Sequence, residues 1–259
     1  MKLKPNFFTR IFIFLILVFY TISFNAQVLG EDPDTTFEID PVTNANAIQV
    51  INAIFGQDMS SQVTNVTMRG GGGTRANSQI GVYSDLDTRL PYVATGEGYG
   101  AAFLTSFIND PEDGLVTSDN NTFPDSFNVG KGETDNQFGN DAIDVASLSF
   151  DINVTSQSLF TITAIFASDE YLEFVDTNVN DAAKVFINGV NIALVNGSEL
   201  SIDTVNDQDN SSVYNNNPSV NNGSSNLPFE YDGVTDELVF TTTLAAGTHT
   251  IKIGIADRG

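Results

Sequence analysis

Polar and apolar residues alternate along much of the second half of the chain. In 148–154 and 160–166 every second position is apolar, which is how a strand on a hydrophobic core presents itself. In 184–195 the pair Asn188-Gly189 stands between two apolar runs, which is typical of the type I′ turn of a β-hairpin. Further strands are predicted at 62–68, 80–83, 92–94, 101–107, 199–205, 238–244 and 248–256.

One segment, 44–55, shows the helical period instead. Its apolar residues recur at intervals of three and four, Thr43 or Asn44 is suited to cap its start, and Gly56 is suited to end it. A polar stretch at 109–140 is predicted to be a long loop. Many short strands with one short N-terminal helix predict an all-β fold, a jelly-roll-like β-sandwich.

The first 26 residues have the pattern of a targeting segment. Lys2, Lys4 and Arg10 precede an apolar run that begins at Ile11 and continues to Ala26. A signal peptide has an apolar core of roughly 7 to 15 residues, whereas a membrane-spanning helix needs about 20. We therefore predict a signal peptide at 1–26, with a retained anchor as the alternative, and no membrane span after cleavage. Residues 27–43 are predicted to be a linker and 44–259 one domain.

Composition excludes several function classes. Cleavage after residue 26 leaves seven basic against 33 acidic residues, a formal charge of −26. Such a surface repels nucleic acid and anionic lipid, since both are bound through Lys and Arg. The chain has no Cys and one His, His249, which argues against thiol catalysis, Cys-ligated zinc and a Ser-His-Asp triad. An acidic, exported, soluble protein remains.

Acidic and amide side chains crowd the loop that follows the strand at 160–166. Calcium takes six to eight oxygen ligands from carboxylates, amides, backbone carbonyls and water. We predict a Ca²⁺ site there, joined by one residue from the end of the last strand. Its predicted ligands are Asp169, Glu170, Asn180, Asp181 and Asp257.

Two other interpretations of the same acids stay open. In the first, Glu170 and Asp181 accept backbone N–H bonds and only shape the turn. In the second, Asp169 or Glu170 faces Asp257 and the pair acts on a glycoside, which requires carboxyls about 5 to 10 Å apart in a cleft. Asp169 and Glu170 are neighbours, so their side chains point to opposite faces of a continuing strand and do not make such a pair.

Several separated motifs resemble the choice-of-anchor L domain of bacterial exported proteins. They are FASDEYLEFVDTNVNDAAKVFINGVNIALVNG, SIDTVN, FEYDGVTDEL and HTIKIGIADRG, with VTNVTMRG near the start, and together they cover roughly 44–259. The chain differs from the family at 182–186, where an alanine-rich AAKVF replaces a bulkier run, and it stops at Gly259 without a further strand or sorting segment. A C-terminal sorting segment is therefore expected but absent from this sequence.

The resemblance implies a secreted or surface-attached protein without an established activity. Our first hypothesis is a non-catalytic extracellular module for adhesion or surface binding, stabilised by calcium. Its ligand would be a glycan or another surface protein. The alternative is a carbohydrate-binding or glycoside-processing domain that uses Asp169, Glu170 and Asp257, and the third hypothesis is a structural spacer.

Overall fold

A computed structural model describes residues 39–72, 78–83, 100–103, 132–168, 170–217 and 231–258. The predicted signal peptide, the predicted strand at 92–94 and the predicted ligand Asp169 lie outside these ranges. Within them the chain consists mostly of antiparallel strands, and one short helix precedes nearly all of them, so the predicted all-β class is confirmed. The jelly-roll arrangement stays a prediction.

The helix and strands have the following bounds. The helix α1 is Ala47–Phe55, preceded by a 3₁₀ turn at Asn44–Asn46. The strands are β1 (Ile39–Pro41), β2 (Val63–Arg69), β3 (Ile80–Tyr83), β4 (Gly100–Phe103), β5 (Ala142–Val154), β6 (Ser158–Ala164), β7 (Ala167–Ser168), β8 (Ala182–Ile187), β9 (Val190–Asn191), β10 (Leu194–Val195), β11 (Ser198–Ser201), β12 (Tyr214–Asn216), β13 (Gly233–Thr235), β14 (Leu238–Leu244) and β15 (Gly247–Arg258).

The largest sheet is built around β15. Its strand order is β10-β11-β8-β15-β5-β2, with β9 paired to β8. Ile251 pairs with Phe150 of β5 on one side and with Ile187 of β8 on the other, and all three side chains are buried. Because side chains alternate across a strand, the isoleucines of β15 face the core and the residues between them face outward. Each such buried side chain contributes about 1.5–3 kcal/mol.

The strand at 160–166 belongs to a separate two-stranded sheet with β14. The alternation predicted from the sequence is present, since Phe160 is buried while Thr161 and Thr163 are exposed. The strand ends at Ala164, two residues earlier than predicted. Phe160 and Phe240, one from each strand, join the same hydrophobic cluster as Phe150, so this pair packs on the core side of the large sheet.

The predicted helix is present, but its predicted cap is not formed. Neither Thr43 before the 3₁₀ turn nor Asn46 before α1 makes a side-chain capping bond, because the chain enters α1 through that turn. Gly56 ends α1 in the left-handed region at φ 62°, as predicted. Val50 and Ile51 are fully buried, which fixes α1 against the core.

Two segments predicted to be irregular take part in the fold. Residues 39–43 were predicted to end the linker, yet β1 pairs with β3 and Val42 is buried in the core. In the predicted long loop, Phe138 is fully buried on the outward face of the large sheet, where its ring meets Phe186 edge-on at 5.6 Å. We call residues 133–138 the strap, because they cross that outward face.

Candidate functional site

Three carboxylates meet at one end of the large sheet. Glu170, Asp181 and Asp257 each offer one oxygen, and these oxygens all lie within 4.8 Å of one another. All three side chains are partly buried. Carboxylates this close repel each other unless a proton or a cation neutralises them. We call these three residues the acidic cluster.

Strand pairing brings two members of the acidic cluster together. Ala182, the first residue of β8, pairs with Ala256 of β15. Asp181 immediately precedes β8 and Asp257 follows Ala256 in β15, so the antiparallel register sets them side by side at the sheet end. Asp257 also lies at a bulge, because the pairing of β15 with β5 shifts between Ile255 and Asp257.

Hydrogen bonds hold the third member in place. The Asp181 N–H donates to Glu170 Oε2 at 3.2 Å, and the Ser168 hydroxyl donates to Asp181 Oδ2 at 2.9 Å. The Glu170 N–H in turn donates to the Ser168 oxygen at 3.0 Å. The backbone N–H bond to Glu170 is of the turn-shaping kind that the sequence left open as an alternative, whereas the bond from Ser168 to Asp181 comes from a hydroxyl.

The surroundings of the cluster oppose negative charge. Burial raises the pKa of the Asp257 carboxyl, and the nearby charge of Asp144 raises it further. Burial also raises the pKa of the Tyr171 phenol, followed by the effects of Tyr214 and Asp181. A group that neutralises the carboxylates is therefore favoured at this end of the sandwich.

Two buried oxygens near the cluster have no hydrogen-bond partner among the described residues. One is Asn180 Oδ1, and the other is the hydroxyl of Tyr171, whose side chain is 1 % exposed. Asn180 precedes Asp181, and its N–H donates to the Arg258 carbonyl at 2.7 Å, beside Asp257. A buried oxygen without a partner loses free energy relative to water, so such a position suits a ligand or a bound water.

The structure brings together three of the five ligands predicted from the sequence and sets Asn180 beside them. Asp169 lies outside the described residues. Sequence reasoning missed Asp144, whereas it placed Tyr171 beside the acids as a residue that packs over the end of the sandwich or stacks on a sugar. Asp144 sits near the start of β5 at φ 49°, where its carboxylate accepts the Gly132 N–H. A left-handed Asp at a strand start is the kind of feature a sequence pattern leaves unmarked.

A second feature is a cavity of about 190 Å³ on the outward face of the large sheet, beside the strap. We call it the outer-face cavity. None of the acidic cluster residues lines it. It is lined by Thr67, Arg69, Gln137, Ser147, Ser149, Phe186, Gly189, Thr250 and Lys252.

The four Lys and Arg residues among those described all pair with acids. Lys252 and Arg69 meet at Asp135 of the strap, and Lys184 and Arg258 meet at Glu199.

Two of these acids have lowered pKa values. Burial opposes ionisation of Asp135, but the Lys252 ammonium, the Gln137 N–H and Arg69 outweigh it and lower the pKa of that carboxyl. Burial likewise opposes ionisation of Glu199, and Lys184 and Arg258 lower its pKa. The cations are thus engaged in ion pairs on the large sheet.

Comparisons with known proteins complete the description. The family model described as "Choice-of-anchor L domain" matches residues 38–259, which is most of the chain. Searches of curated proteins and of solved structures found no match. Among the described residues, no helix has the length and apolar character that a membrane crossing requires. The chain therefore belongs to the choice-of-anchor L domain family, which indicates an extracellular or surface-associated module.

Proposed function

We propose that this chain is a non-catalytic, secreted or cell-surface adhesion module of a bacterium, and that a calcium ion at the acidic cluster stabilises it. One observation carries the calcium part. Three carboxylates, two from the loop at 170–181 and one from the end of β15, converge within 4.8 Å at a partly buried sheet end. A divalent cation at that point would neutralise them and join the loop at 170–181 to the end of β15.

The donor chemistry supports calcium over other metals. The acidic cluster offers carboxylate oxygens, and Asn180 adds an amide oxygen without a partner among the described residues. Oxygen-only ligands suit Ca²⁺ and Mg²⁺, whereas zinc prefers His and Cys. Calcium accepts six to eight ligands in flexible geometry, so backbone carbonyls and water complete the set. Asp169 stays a predicted ligand.

The surroundings of the acids support a non-catalytic role. The acidic cluster is hydrogen-bonded to its own loop, and the outer-face cavity contains none of its members. Glycoside hydrolysis needs two carboxyls that flank a bound sugar in a cleft. Surface binding needs no reacting pair, and it agrees with the family to which the chain belongs.

Two measurements test this function separately. Calorimetric melting in calcium and in chelator tests the ion, and an unchanged melting temperature would reject it. Binding of labelled protein to polysaccharide-coated and protein-coated sensor surfaces tests adhesion, with bare sensors as the control. Retention on neither coating above the bare sensor would reject adhesion, whatever the outcome for calcium.

A further inference from the structure

We propose that the outer-face cavity binds a single neutral sugar residue, such as the end of a glycan chain. This inference rests on the proposed surface-binding function and names the chemistry of its ligand. The cavity lies on the face of the large sheet opposite the core, formed by β2, β5, β15 and β8 together with the strap.

The floor of the cavity carries four hydroxyls, and three of them have no hydrogen-bond partner among the described residues. Thr67 of β2 pairs directly with Ser149 of β5, and Ser147 lies two residues further along β5. Among the described residues, none of these three hydroxyls makes a hydrogen bond, although the fourth, Thr250, donates to Asp151 at 2.6 Å. Ser147 is only 2 % exposed and lines the cavity, so a ligand in the cavity would lie against it. A hydroxylated ligand provides both donors and acceptors for such groups.

The charges of the basic side chains on the cavity wall are cancelled by neighbouring acids. Lys252 and Arg69 are balanced by Asp135 and Glu133 of the strap. Lys252 also donates to Gln137 Oε1 at 2.7 Å, which fixes the amide and leaves its NH₂ group without a partner among the described residues. Ion-paired side chains are oriented donors and acceptors that do not attract ions strongly. The wall therefore favours a neutral ligand over a phosphate, a sulfate or a carboxylate.

Size and apolar contacts agree with a sugar ring. A volume of about 190 Å³ is smaller than that of typical drug-sized pockets, about 300–1,000 Å³. Phe186 and Gly189 supply the apolar part of the lining, against which the C–H groups of a sugar can pack.

The experiment starts with an array of neutral, sulfated and uronate-containing glycans, probed with the full chain. The glycan bound most strongly is then titrated calorimetrically in EGTA, because the acidic cluster does not line the cavity and the site should work without calcium. We expect binding to a neutral glycan that persists in about 0.5 M NaCl, where exposed charges are screened.

Variants locate the site. Ser149→Leu places a larger side chain in the cavity and blocks it. Thr67→Ala and Gln137→Ala each remove one polar group that would contact the sugar. Losing one hydrogen bond should weaken binding roughly tenfold, and Ser149→Leu should abolish it. The matched control is Thr163→Ala, an exposed strand threonine on the two-stranded sheet. Circular dichroism verifies that each variant is folded.

Three outcomes would overturn the proposal. They are no binding to any glycan, binding only to charged glycans that is lost in salt, and binding that is equal in the wild type, Ser149→Leu and Gln137→Ala. If the protein adheres to protein-coated sensors but to no glycan, the sugar site fails while the adhesion function stands.

Discussion

The Asp257→Asn variant should be more stable than the wild type without calcium, and it should gain less stability than the wild type when calcium is added. Without calcium, Asp257 is a half-buried carboxylate whose oxygen lies within 4.8 Å of oxygens of Glu170 and Asp181. Two unit charges at that distance repel by about 1 kcal/mol in water and about 3 kcal/mol at the effective dielectric constant near a protein surface. Asn removes this repulsion and keeps the size of the side chain.

We therefore expect the variant to gain about 1–3 kcal/mol over the wild type in chelator. For a domain of this size, that is a rise in melting temperature of roughly 2–12 °C. In calcium at 100 times the dissociation constant, the wild type should gain about 2.7 kcal/mol, whereas the variant should gain much less. The difference between the two melting temperatures should therefore become smaller or change sign when calcium is added.

The assay is differential scanning calorimetry of both proteins in EGTA and across a calcium titration. Asp209→Asn is the matched control, because it removes one negative charge from an exposed residue outside the acidic cluster. If Asp257→Asn melts below the wild type in EGTA, the repulsion argument is wrong. If Asp257→Asn responds to calcium as strongly as the wild type and Asp209→Asn do, Asp257 is not a ligand.

Three further predictions concern the large sheet. Gly254→Ala should destabilise the fold severely, since a Cβ there would collide with the Ala146 carbonyl and lie 2.6 Å from Ser147 Cβ; recovery of soluble protein with a near-normal melting temperature would contradict this. Phe138→Ala should cost about 3–5 kcal/mol, measured by urea unfolding, because the ring is fully buried against Phe186. Folding lowers the pKa of Glu199 below its unfolded value of 4.5. Its contribution to the free energy of unfolding is therefore present above pH 4.5 and is lost as the pH falls through the lower pKa of the folded state. Urea unfolding between pH 3 and 6 should therefore show that the free energy of unfolding falls less with acid in Glu199→Gln than in the wild type. An equal fall with pH in both proteins would argue against the ion pairs.

Much of the fold followed from local pattern. The alternation in β5, β6, β14 and β15 predicted strands that the structure contains, because a period of two reflects one face on a core. The turn at Asn188-Gly189 was also predicted from the sequence, and the structure confirms it, since both residues adopt positive φ, 51° and 82°. The acids of the candidate site were visible too, because carboxylates crowded into one loop need compensation wherever that loop lies.

Only the tertiary structure decided which acids lie together and which loop packs against the large sheet. Asp257 joins Asp181 through the register of β15 with β8, a pairing between strands about 70 residues apart that local pattern does not specify. The strap looked like a polar loop, because one buried aromatic, Phe138, among polar residues carries no periodicity. Sequence by itself determined where strands form and where charge collects, since both depend on neighbouring residues. Pairing and packing determined the acidic cluster and the outer-face cavity, since both join residues distant along the chain.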